Sequence, residues 1–295
     1  MVLTGLTLNS QGQDWLNREL YPFESQYMQL KAGKMHYIDE GEGETILFVH
    51  GTPTWSFLYR DMVKELSKTH RCIAIDHLGF GLSEKITAFS GTPQAHAQNL
   101  EEFIQKMGLD QITLVVHDFG GSIGLGAALT MPEKFKRVVL FNSWLWSTKE
   151  DPAAQGIDQL LNSPSGEDYY LKQNYSPVVL LKQAFSNAKN LTEEVHQHYI
   201  APFPNPDSRQ ALLNLGRQFV GASDWYEAQW QQLDKLSELP WLILWGNKDP
   251  FLNQDYLEKW KSRIPNAQVH TFDVGHFVQA EASDASLQQI KSFLR

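Results

Sequence analysis

The sequence predicts an α/β fold, in which a mostly parallel central sheet carries helices on both faces and a helical cap is inserted into the chain. Strand-like apolar runs alternate with helix-like segments as far as residue 141. The alternation stops between residues 144 and 233, where polar residues, Gln, Tyr and Pro are frequent, and it resumes at residue 240. We therefore expect a core domain formed by residues 1–143 and 234–295, and a helical cap domain formed by residues 144–233.

The N-terminal half of the core is predicted to begin with an antiparallel hairpin over residues 27–39. Short apolar runs then predict the strands of the sheet. They cover residues 45–49, 72–75, 114–116 and 138–141. Because helix-like segments separate these runs, we expect the strands to lie parallel to one another.

The second half is predicted to contain cap helices and then the last strands. Residues 177–188 and 208–220 have the apolar spacing of amphipathic helices. Residues 241–245 and 268–272 are predicted strands, and residues 282–294 are the last helix. In open α/β sheets ligands bind just outside the carboxyl ends of the strands, so the loops that follow the strands are the candidates for a site.

A sharp strand-to-helix turn at Asp118 is the most informative of these loops. Residues 114–121 read LVVHDFGG, a buried strand that breaks into a helix, with Gly120 two positions after the aspartate. In a nucleophile elbow the apex side chain projects above the sheet from a strained turn. A carboxylate there suits displacement at an alkyl carbon, because the resulting ester can later be opened by water. The alternative is that Asp118 only caps the following helix.

Two later loops supply the expected partners of Asp118, since Asp249 and His276 each follow one of the last two predicted strands. Imidazole titrates near neutral pH, so His276 is expected to be the general base that activates water. Asp249 is expected to accept the other ring N–H and orient the ring. Asn142 occupies an alternative position for the acid but cannot hold the charge, and Asp273 is a weaker rival that we expect to form a turn.

The loop after the first core strand is predicted to supply an oxyanion site. Its sequence, HGTPTW, runs over residues 50–55. The backbone N–H groups of Thr52 and Phe119 are expected to face the charge that develops when water attacks the ester. The alternative is an ordinary strand exit that uses Gly51 and Pro53 to turn the chain.

With these residues, the sequence resembles the haloalkane dehalogenases and the nearby epoxide hydrolases of the α/β-hydrolase superfamily. The resemblance extends from about residue 29 to the C-terminus. It is carried by HGTPTWSFLYR at residues 50–60, DHLGFGLS at residues 76–83, VHDFGG at residues 116–121 and APFP at residues 201–204. It implies an α/β-hydrolase fold and hydrolysis of carbon–halogen bonds in small apolar substrates, through an ester on Asp118.

Two positions depart from the dehalogenase pattern. Dehalogenases hold the departing halide with a tryptophan directly after the nucleophile, and here that residue is Phe119, which has no polar donor. Thr52 occupies the loop position of the second halide donor, and Tyr170 lies near its cap position. A missing hydrogen bond to a charged group costs about 1.5–3 kcal/mol, so the sequence predicts less efficient halide release.

Three other functions stay open at this point, and one of them is the use of the same residues on a different substrate, such as a fluorinated acid or a lactone. Epoxide hydrolases open a ring with the same aspartate, but their leaving alkoxide needs a proton donor. The tyrosines of the predicted cap that could donate this proton are Tyr169, Tyr170, Tyr175 and Tyr199. A non-catalytic ligand-binding homologue would instead keep the fold and the pocket without turnover.

The cap is expected to close an apolar pocket over the catalytic edge of the sheet. The candidate lining residues are Trp144, Tyr170, Phe203, Phe251 and Phe277, together with Phe119, Trp146 and Phe185. Such a pocket takes a small apolar organic substrate and water, and we expect it to need neither a cofactor nor a metal.

Charge and cysteine content limit the partners. The formal net charge is −9 and there is no basic run, so neither nucleic acid nor an anionic membrane is an expected partner. Cys72 is the single cysteine and lies in an apolar strand, which predicts a buried thiol. Without a signal-like or membrane-length apolar segment, the sequence predicts a cytoplasmic enzyme that is a monomer or a small homo-oligomer.

Overall fold

The sheet of this protein is described here from a computed structural model that covers residues 14–295. Its strands, in chain order, are β1 Gln26–Gln29, β2 Lys34–Glu40, β3 Thr45–Val49, β4 Arg71–Ile75, β5 Ile112–Val116, β6 Phe135–Phe141, β7 Trp241–Gly246 and β8 Gln268–Phe272. They form one eight-stranded sheet with the order β1-β2-β4-β3-β5-β6-β7-β8. β2 pairs antiparallel with β1 and β4, and the other neighbouring strands pair in parallel. The carboxyl ends of β3 to β8 therefore share one edge.

Helices connect the strands and fill the long interval between β6 and β7. Those of the described chain are α1 Arg60–Leu66, α2 Pro93–Met107, α3 Phe119–Thr130, α4 Pro152–Leu161, α5 Pro164–Glu167, α6 Leu181–Gln183, α7 Glu193–Ile200, α8 Pro206–Gly221, α9 Ser223–Gln231, α10 Asp234–Ser237, α11 Gln254–Arg263, α12 Val278–Glu281 and α13 Ser283–Phe293. The predicted fold class is confirmed, including the N-terminal hairpin, which β1 and β2 form.

Helices pack against both faces of the sheet, and β5 lies near its middle. All of its residues are buried. Leu114 and Val116 pack into the apolar core on one face, whereas Val115 packs into the core on the other. Continuous burial on both faces is typical of a central parallel strand, so the turn that follows β5 opens at the centre of the sheet edge.

We call the chain between β6 and β7 the insert. Its longest helix, α8, starts at a capping box in which Asn205 accepts a hydrogen bond from Ser208 N at 3.0 Å. The Arg209 guanidinium donates to the backbone carbonyls of Phe203 at 2.9 Å and Leu171 at 2.8 Å, and so ties α8 to two other segments of the insert. The helix predicted at residues 208–220 is confirmed, whereas the domain boundaries at residues 143 and 234 stay a prediction.

The insert differs from the sequence prediction between residues 164 and 190. Two π-helical segments, Asp168–Lys172 and Ser176–Leu180, precede the short α6. The helix predicted over residues 177–188 therefore consists of the second π-helical segment and α6, and it ends at Gln183. Ala184 O instead accepts a hydrogen bond from the backbone N–H of His276, at 2.9 Å. Bonds to another part of the chain have replaced the helical bonds that local periodicity predicts.

Two further expectations concern Cys72 and membranes. The Cys72 side chain is buried in β4, and burial raises the pKa of its thiol to about 12. Among residues 14–295, no helix is both long and apolar enough to cross a bilayer.

Candidate active site

The turn at Asp118 is strained and held by its neighbours. Asp118 has φ 54° and ψ −133°, a backbone conformation that residues other than glycine rarely adopt. Its N–H donates to the carbonyl of Asn142 at 2.8 Å, and the Ser143 hydroxyl donates to its carbonyl at 2.7 Å. Gly120 is required, because a β-carbon at that position would collide with the carbonyl oxygen of Val49. The turn therefore fixes the aspartate at the end of β5.

The two carboxylate oxygens of Asp118 face different partners. Oδ1 accepts a hydrogen bond from the backbone N–H of Thr52 at 2.8 Å. Oδ2 lies 3.5 Å from Nε2 of His276. The other expected oxyanion donor, the N–H of Phe119, belongs to the first residue of α3. The first N–H groups of a helix have no partner within the helix and favour negative charge nearby.

His276 is oriented by Asp249. Its Nδ1 lies 2.6 Å from Oδ2 of Asp249, and both side chains are almost fully buried. The other oxygen of Asp249 accepts hydrogen bonds from the backbone N–H groups of Phe251 at 2.8 Å and Leu252 at 3.1 Å. Asp118, His276 and Asp249 thus form one connected row of side chains.

Asn142 also contacts this row, although sequence analysis noted it only as the residue at the alternative position for the acid. Its Nδ2 donates to Oδ2 of Asp249 at 2.8 Å. The same amide group also donates to the carbonyl of Gly246 at 3.2 Å and accepts from the N–H of Gly246 at 2.8 Å. The amide therefore fixes both the end of β7 and the carboxylate that follows it.

Charge around His276 favours its protonated form. Burial lowers the pKa of the imidazole, but the carboxylates of Asp249 and Asp118 outweigh burial and raise the pKa to about 10. The ring beside it behaves in the opposite way, because burial lowers the pKa of His117 well below its usual value. Neutral His117 can donate through Nε2 to the carbonyl of His276, 2.9 Å away. The position of His276 between Asp249 and Asp118 thus favours the protonated ring.

A cavity of about 200 Å³ opens beside Asp118 and His276. Its other lining residues are mostly apolar and come largely from the insert. The structure places five of the predicted pocket residues in this lining, namely Phe119, Trp144, Tyr170, Phe251 and Phe277. The geometry provides a carboxylate, a histidine and an apolar chamber for a reacting carbon.

Comparison with known proteins shows which group this arrangement belongs to. A family model described as α/β hydrolase fold matches residues 44–283. The chain belongs to the α/β-hydrolase family. A cis-3-alkyl-4-alkyloxetan-2-one decarboxylase from Shewanella oneidensis is 34% identical, and the alignment covers 93% of this chain and 89% of that protein. Haloalkane dehalogenase 2 from Mycobacterium tuberculosis is 32% identical, with 90% of this chain and 93% of the relative covered.

The solved structures agree with these relatives. A haloalkane dehalogenase from Agrobacterium tumefaciens superimposes with a TM-score of 0.83 at 26% identity, covering 92% of this chain and 96% of the other. This α/β-hydrolase is therefore an enzyme of the haloalkane dehalogenase-like group. The non-catalytic alternative left open by the sequence is set aside, because the curated relatives described above are enzymes.

Three predicted pocket residues of the hydrolase, Phe203, Trp146 and Phe185, lie outside the lining. Phe203 does not line the cavity; it is fully buried and packs edge-on against Phe80, with ring centroids 6.1 Å apart. Its carbonyl accepts hydrogen bonds from Arg209 and Asn174. These bonds fix the turn so that the ring points into the core. Trp146 is also outside the lining, because it packs with the tryptophans and tyrosine of the helices behind it.

The place of the missing halide tryptophan is filled with aromatic rings. Phe119 packs edge-on against Trp144, with ring centroids 4.8 Å apart. The indole N–H of Trp144 and the hydroxyl of Thr52 are both buried without a hydrogen-bond partner in the described structure. The part of the cavity lining beside Phe119 is therefore mostly aromatic, but it contains two polar groups whose hydrogen bonds are not satisfied by the protein.

The insert tyrosines occupy different places. Tyr170 is buried in the cavity lining, and burial raises the pKa of its phenol to about 12. Tyr169 and Tyr175 line the cavity nearer the surface, and their rings lie 5.4 Å apart. Tyr199 is not in the lining and packs against Phe57. Only Tyr170 combines burial with a position in the lining.

The weaker rival acid, Asp273, has another role in the structure. Asp273 points to solvent and pairs with Lys248 at 2.8 Å, as expected for a loop carboxylate.

Glu281 was missed by sequence reasoning. It accepts hydrogen bonds from Gly275 N at 2.8 Å and Ser186 N at 3.0 Å, joining the loop of His276 to the insert. No motif marks it, because its partners are distant in sequence.

Metal chemistry was not expected from the sequence. Among residues 14–295, no group of three or more His, Cys, Asp or Glu side chains is arranged to hold a metal ion.

Proposed function

We propose that this hydrolase uses Asp118 as a nucleophile and hydrolyses carbon–halogen bonds of small apolar substrates through a covalent alkyl ester. One observation carries the proposal. A carboxylate, rather than a hydroxyl, stands at the strained turn, with one oxygen on the Thr52 N–H and the other facing His276 inside an apolar cavity. A carboxylate shielded from water is a better nucleophile than a solvated one.

In the first step Asp118 attacks the carbon that carries the halogen. A new carbon–oxygen bond forms while the carbon–halogen bond breaks, and the halide leaves with the bonding electron pair. No proton moves in this step, so His276 can remain protonated. Its positive charge then lies close to the departing anion and to the ester that has formed.

In the second step water opens the ester, and the change in charge prepares His276 for this. Esterification removes the negative charge of Asp118, which is one of the causes that raise the pKa of His276. The pKa of the imidazole therefore falls, and the ring can release its proton to solvent, which balances the departed halide, and then accept a proton from the attacking water. The hydroxide attacks the ester carbonyl, whose oxygen gains charge at the Thr52 N–H. Alcohol leaves, and the Asp118 carboxylate is restored.

A second candidate is the decarboxylation of a dialkyl oxetan-2-one, the activity that the name of the Shewanella relative gives for that protein. Attack by Asp118 on ring carbon 4 would break its bond to the ring oxygen and release a carboxylate that stays on the substrate. Loss of CO₂ would send its bonding pair into a new C=C bond and return the ester oxygen to Asp118. Phe119 favours this reaction, since an attached carboxylate needs no separate halide site.

Epoxide opening stays a weaker candidate. Tyr170 is the insert tyrosine best placed to protonate a leaving alkoxide, because its phenol lines the cavity and its raised pKa keeps it protonated at neutral pH. The relatives described above carry the names of dehalogenases and of a lactone decarboxylase, and these names favour the first two reactions.

The decisive experiment compares wild type, His276→Gln and Asp118→Asn on a 1-bromoalkane, a cis-3,4-dialkyl oxetan-2-one and an epoxide. With the bromoalkane, we expect His276→Gln to accumulate an alkyl adduct on Asp118, detected by mass spectrometry of the protein. With the oxetanone, alkene should form in His276→Gln without an adduct, because no water is needed. Asp118→Asn should be inactive on every substrate. If neither adduct nor alkene forms with any of them, the nucleophile is wrongly assigned.

A further inference from the structure

The loop that carries Thr52 is fixed at both ends by two consecutive residues, Asp76 and His77, which directly follow β4. At its start, the N–H of His77 donates to Nε2 of His50 at 2.9 Å, and Nε2 of His77 lies 3.0 Å from the carbonyl oxygen of His50. At its end, Oδ1 of Asp76 accepts a hydrogen bond from the N–H of Ser56 at 2.8 Å. The position of Thr52 between these attachments therefore depends on the residues after β4.

Asp76 is a fully buried carboxylate that takes no part in the proposed reaction steps. Its Oδ2 accepts a hydrogen bond from the N–H of Leu82 at 2.8 Å. A β-carbon at Gly81 would lie 2.2 Å from the same oxygen, so the backbone of the following loop closes over the carboxylate. A charge enclosed in this way costs free energy unless nearby groups compensate it.

His36 of β2 contacts this carboxylate. Its Nδ1 lies 2.8 Å from Oδ2 of Asp76, and both side chains are fully buried. The ring nitrogen is close to the oxygen but not aligned for a hydrogen bond, so the contact is electrostatic. The Ser83 hydroxyl joins the same two residues, because it accepts from the N–H of His36 at 2.8 Å and donates to the carbonyl of Asp76 at 2.6 Å.

The charge of Asp76 is stabilised in spite of its burial. Burial raises the pKa of the carboxyl, but its neighbours, chiefly His36, outweigh burial and lower the pKa to about 2. Lys85 does not take the place of His36, because its ammonium group donates to the backbone carbonyls of Gly81 and Ser83. Without His36 the carboxylate would therefore keep its charge, and its hydrogen bonds to the loops, with less support.

We infer that His36 is a positioning residue, which acts through Asp76 to hold the loop of Thr52 where ester hydrolysis needs it. The inference rests on the proposed function, because that function places the Thr52 N–H at the ester oxygen. Asp118 gives up negative charge when the ester forms, and its carbonyl oxygen gains negative charge when water attacks. A donor held in place favours the second of these steps, so a looser loop should slow hydrolysis of the ester more than its formation.

Two substitutions of His36 and one control test this difference with a 1-bromoalkane. His36→Leu removes the contact with Asp76, and the milder His36→Gln removes the ring but keeps a polar group. The control is Met35→Ala, because Met35 is fully buried and packs into the apolar core, and successive side chains of a strand point to opposite faces. Met35→Ala therefore damages the same strand on its other face.

The two steps of the reaction are separated by steady-state kinetics. Loss of an oxyanion donor costs about a hundredfold or more in kcat, and we expect a displaced donor to cost about tenfold. In both His36 variants kcat should fall by about this factor while kcat/KM, which reports ester formation, stays unchanged. Mass spectrometry should then detect the alkyl adduct on Asp118 during turnover. In Met35→Ala no adduct should accumulate.

Hydrogen exchange of the backbone amides at residues 51–56 measures the loop without turnover. We expect faster exchange in both His36 variants and no change in Met35→Ala. Exchange equal to that of wild type in the His36 variants, or a fall in kcat/KM as large as the fall in kcat, would overturn the inference. Failure of the proposed chemistry would appear separately, as absence of turnover by a wild-type protein whose loop still responds to the substitutions of His36.

Discussion

At the scale of single residues, Asp118 combines an unfavourable backbone conformation with a favourable set of contacts. A strained position of this kind costs about 1–3 kcal/mol, and the hydrogen bonds to Asn142 and Ser143 offset it. The resulting position brings its carboxylate to His276. The negative charge of Asp118 should therefore have a measurable effect on the pKa of His276.

Replacing Asp118 by Asn should lower the pKa of His276. Burial opposes protonation of the ring, and the two neighbouring carboxylates together raise its pKa to about 10. Removing one of them leaves Asp249 alone against burial, so the imidazole should titrate at lower pH. NMR titration of the His276 ring measures the shift. The control is Asp273→Asn, which removes an exposed carboxylate from the same loop; equal pKa values in the two variants would refute the coupling.

Asn142 should prove a positioning residue. Asn142→Leu removes the donor to Asp249 and both bonds to Gly246. A buried polar group left without its partner costs about 1–3 kcal/mol, and we expect a loss of that size in unfolding free energy and at least a tenfold fall in kcat.

Asn174→Leu is the control for loss of stability alone, since it removes another buried amide, which donates to the carbonyl of Phe203, and places Leu at a positive φ of 53°. Urea unfolding should show that both variants are destabilised, whereas only Asn142→Leu should change the pH profile of kcat. Identical profiles would reduce Asn142 to a purely structural role.

These residues also show how far sequence reasoning reaches. Asp118, Asp249 and His276 could be located because each follows a recognisable strand, and parallel strands bring such loops to one edge. The position of Asn142 was evident, but not its function. An amide can replace an acid usefully here only because Asp249 and Gly246 converge on it in space.

At the scale of elements, a helix could be predicted from the sequence when its hydrogen bonds are made by residues close to it in the chain. α8 has its own capping box and an amphipathic pattern, so local sequence predicted it within two residues at each end. The π-helical segments Asp168–Lys172 and Ser176–Leu180 bear no such local signal. Contacts with other parts of the chain stabilise these segments; for example, His196 Nε2 lies 2.8 Å from the carbonyl oxygen of Pro177.

The junction between α12 and the insert yields a prediction at this scale. Glu281 accepts hydrogen bonds from Gly275, Ser186 and Asn187, on both sides of the junction. Glu281→Ala should loosen the loop of His276 and the segment after α6 together. We expect faster amide hydrogen exchange at residues 184–187 and 274–277, measured by mass spectrometry, and a severalfold lower kcat.

The control for this junction is Glu258→Ala on α11, which removes an exposed carboxylate bonded to Lys261. Exchange at the junction should be unchanged in that variant. If Glu281→Ala accelerates exchange on only one side, the two segments are not coupled through this carboxylate.

At the scale of the whole molecule, the alternation of strands and helices was sufficient to predict the sheet, because strands β3 to β7 are mostly buried beneath the helices that connect them. The cost of enclosing polar groups in this core could not be predicted. His77, His96 and His117 are all fully buried, and each has a lowered pKa. The stability of the molecule should therefore depend on pH in the acid range.

His96 offers the cleanest test, since neither ring nitrogen has a hydrogen-bond partner in the described structure and aromatic rings surround it. Burial lowers its pKa from 6.5 to about 3. Below about pH 6.5 the unfolded chain binds a proton that the folded protein does not bind until about pH 3, so stability is lost as pH falls through this window. Each pH unit costs about 1.4 kcal/mol for one histidine.

His96→Phe should remove that histidine's share of the acid sensitivity. The ring is retained, the unpaired nitrogens disappear, and the free energy of unfolding near neutral pH should be unchanged or higher. Two pH units below about 6.5, wild type should have lost about 2–3 kcal/mol that the variant keeps. Urea unfolding of both proteins at neutral pH and in acid measures the difference. A gap between them that stays constant with pH would mean that His96 is already protonated in the folded protein, and that its position in the core accommodates the charge.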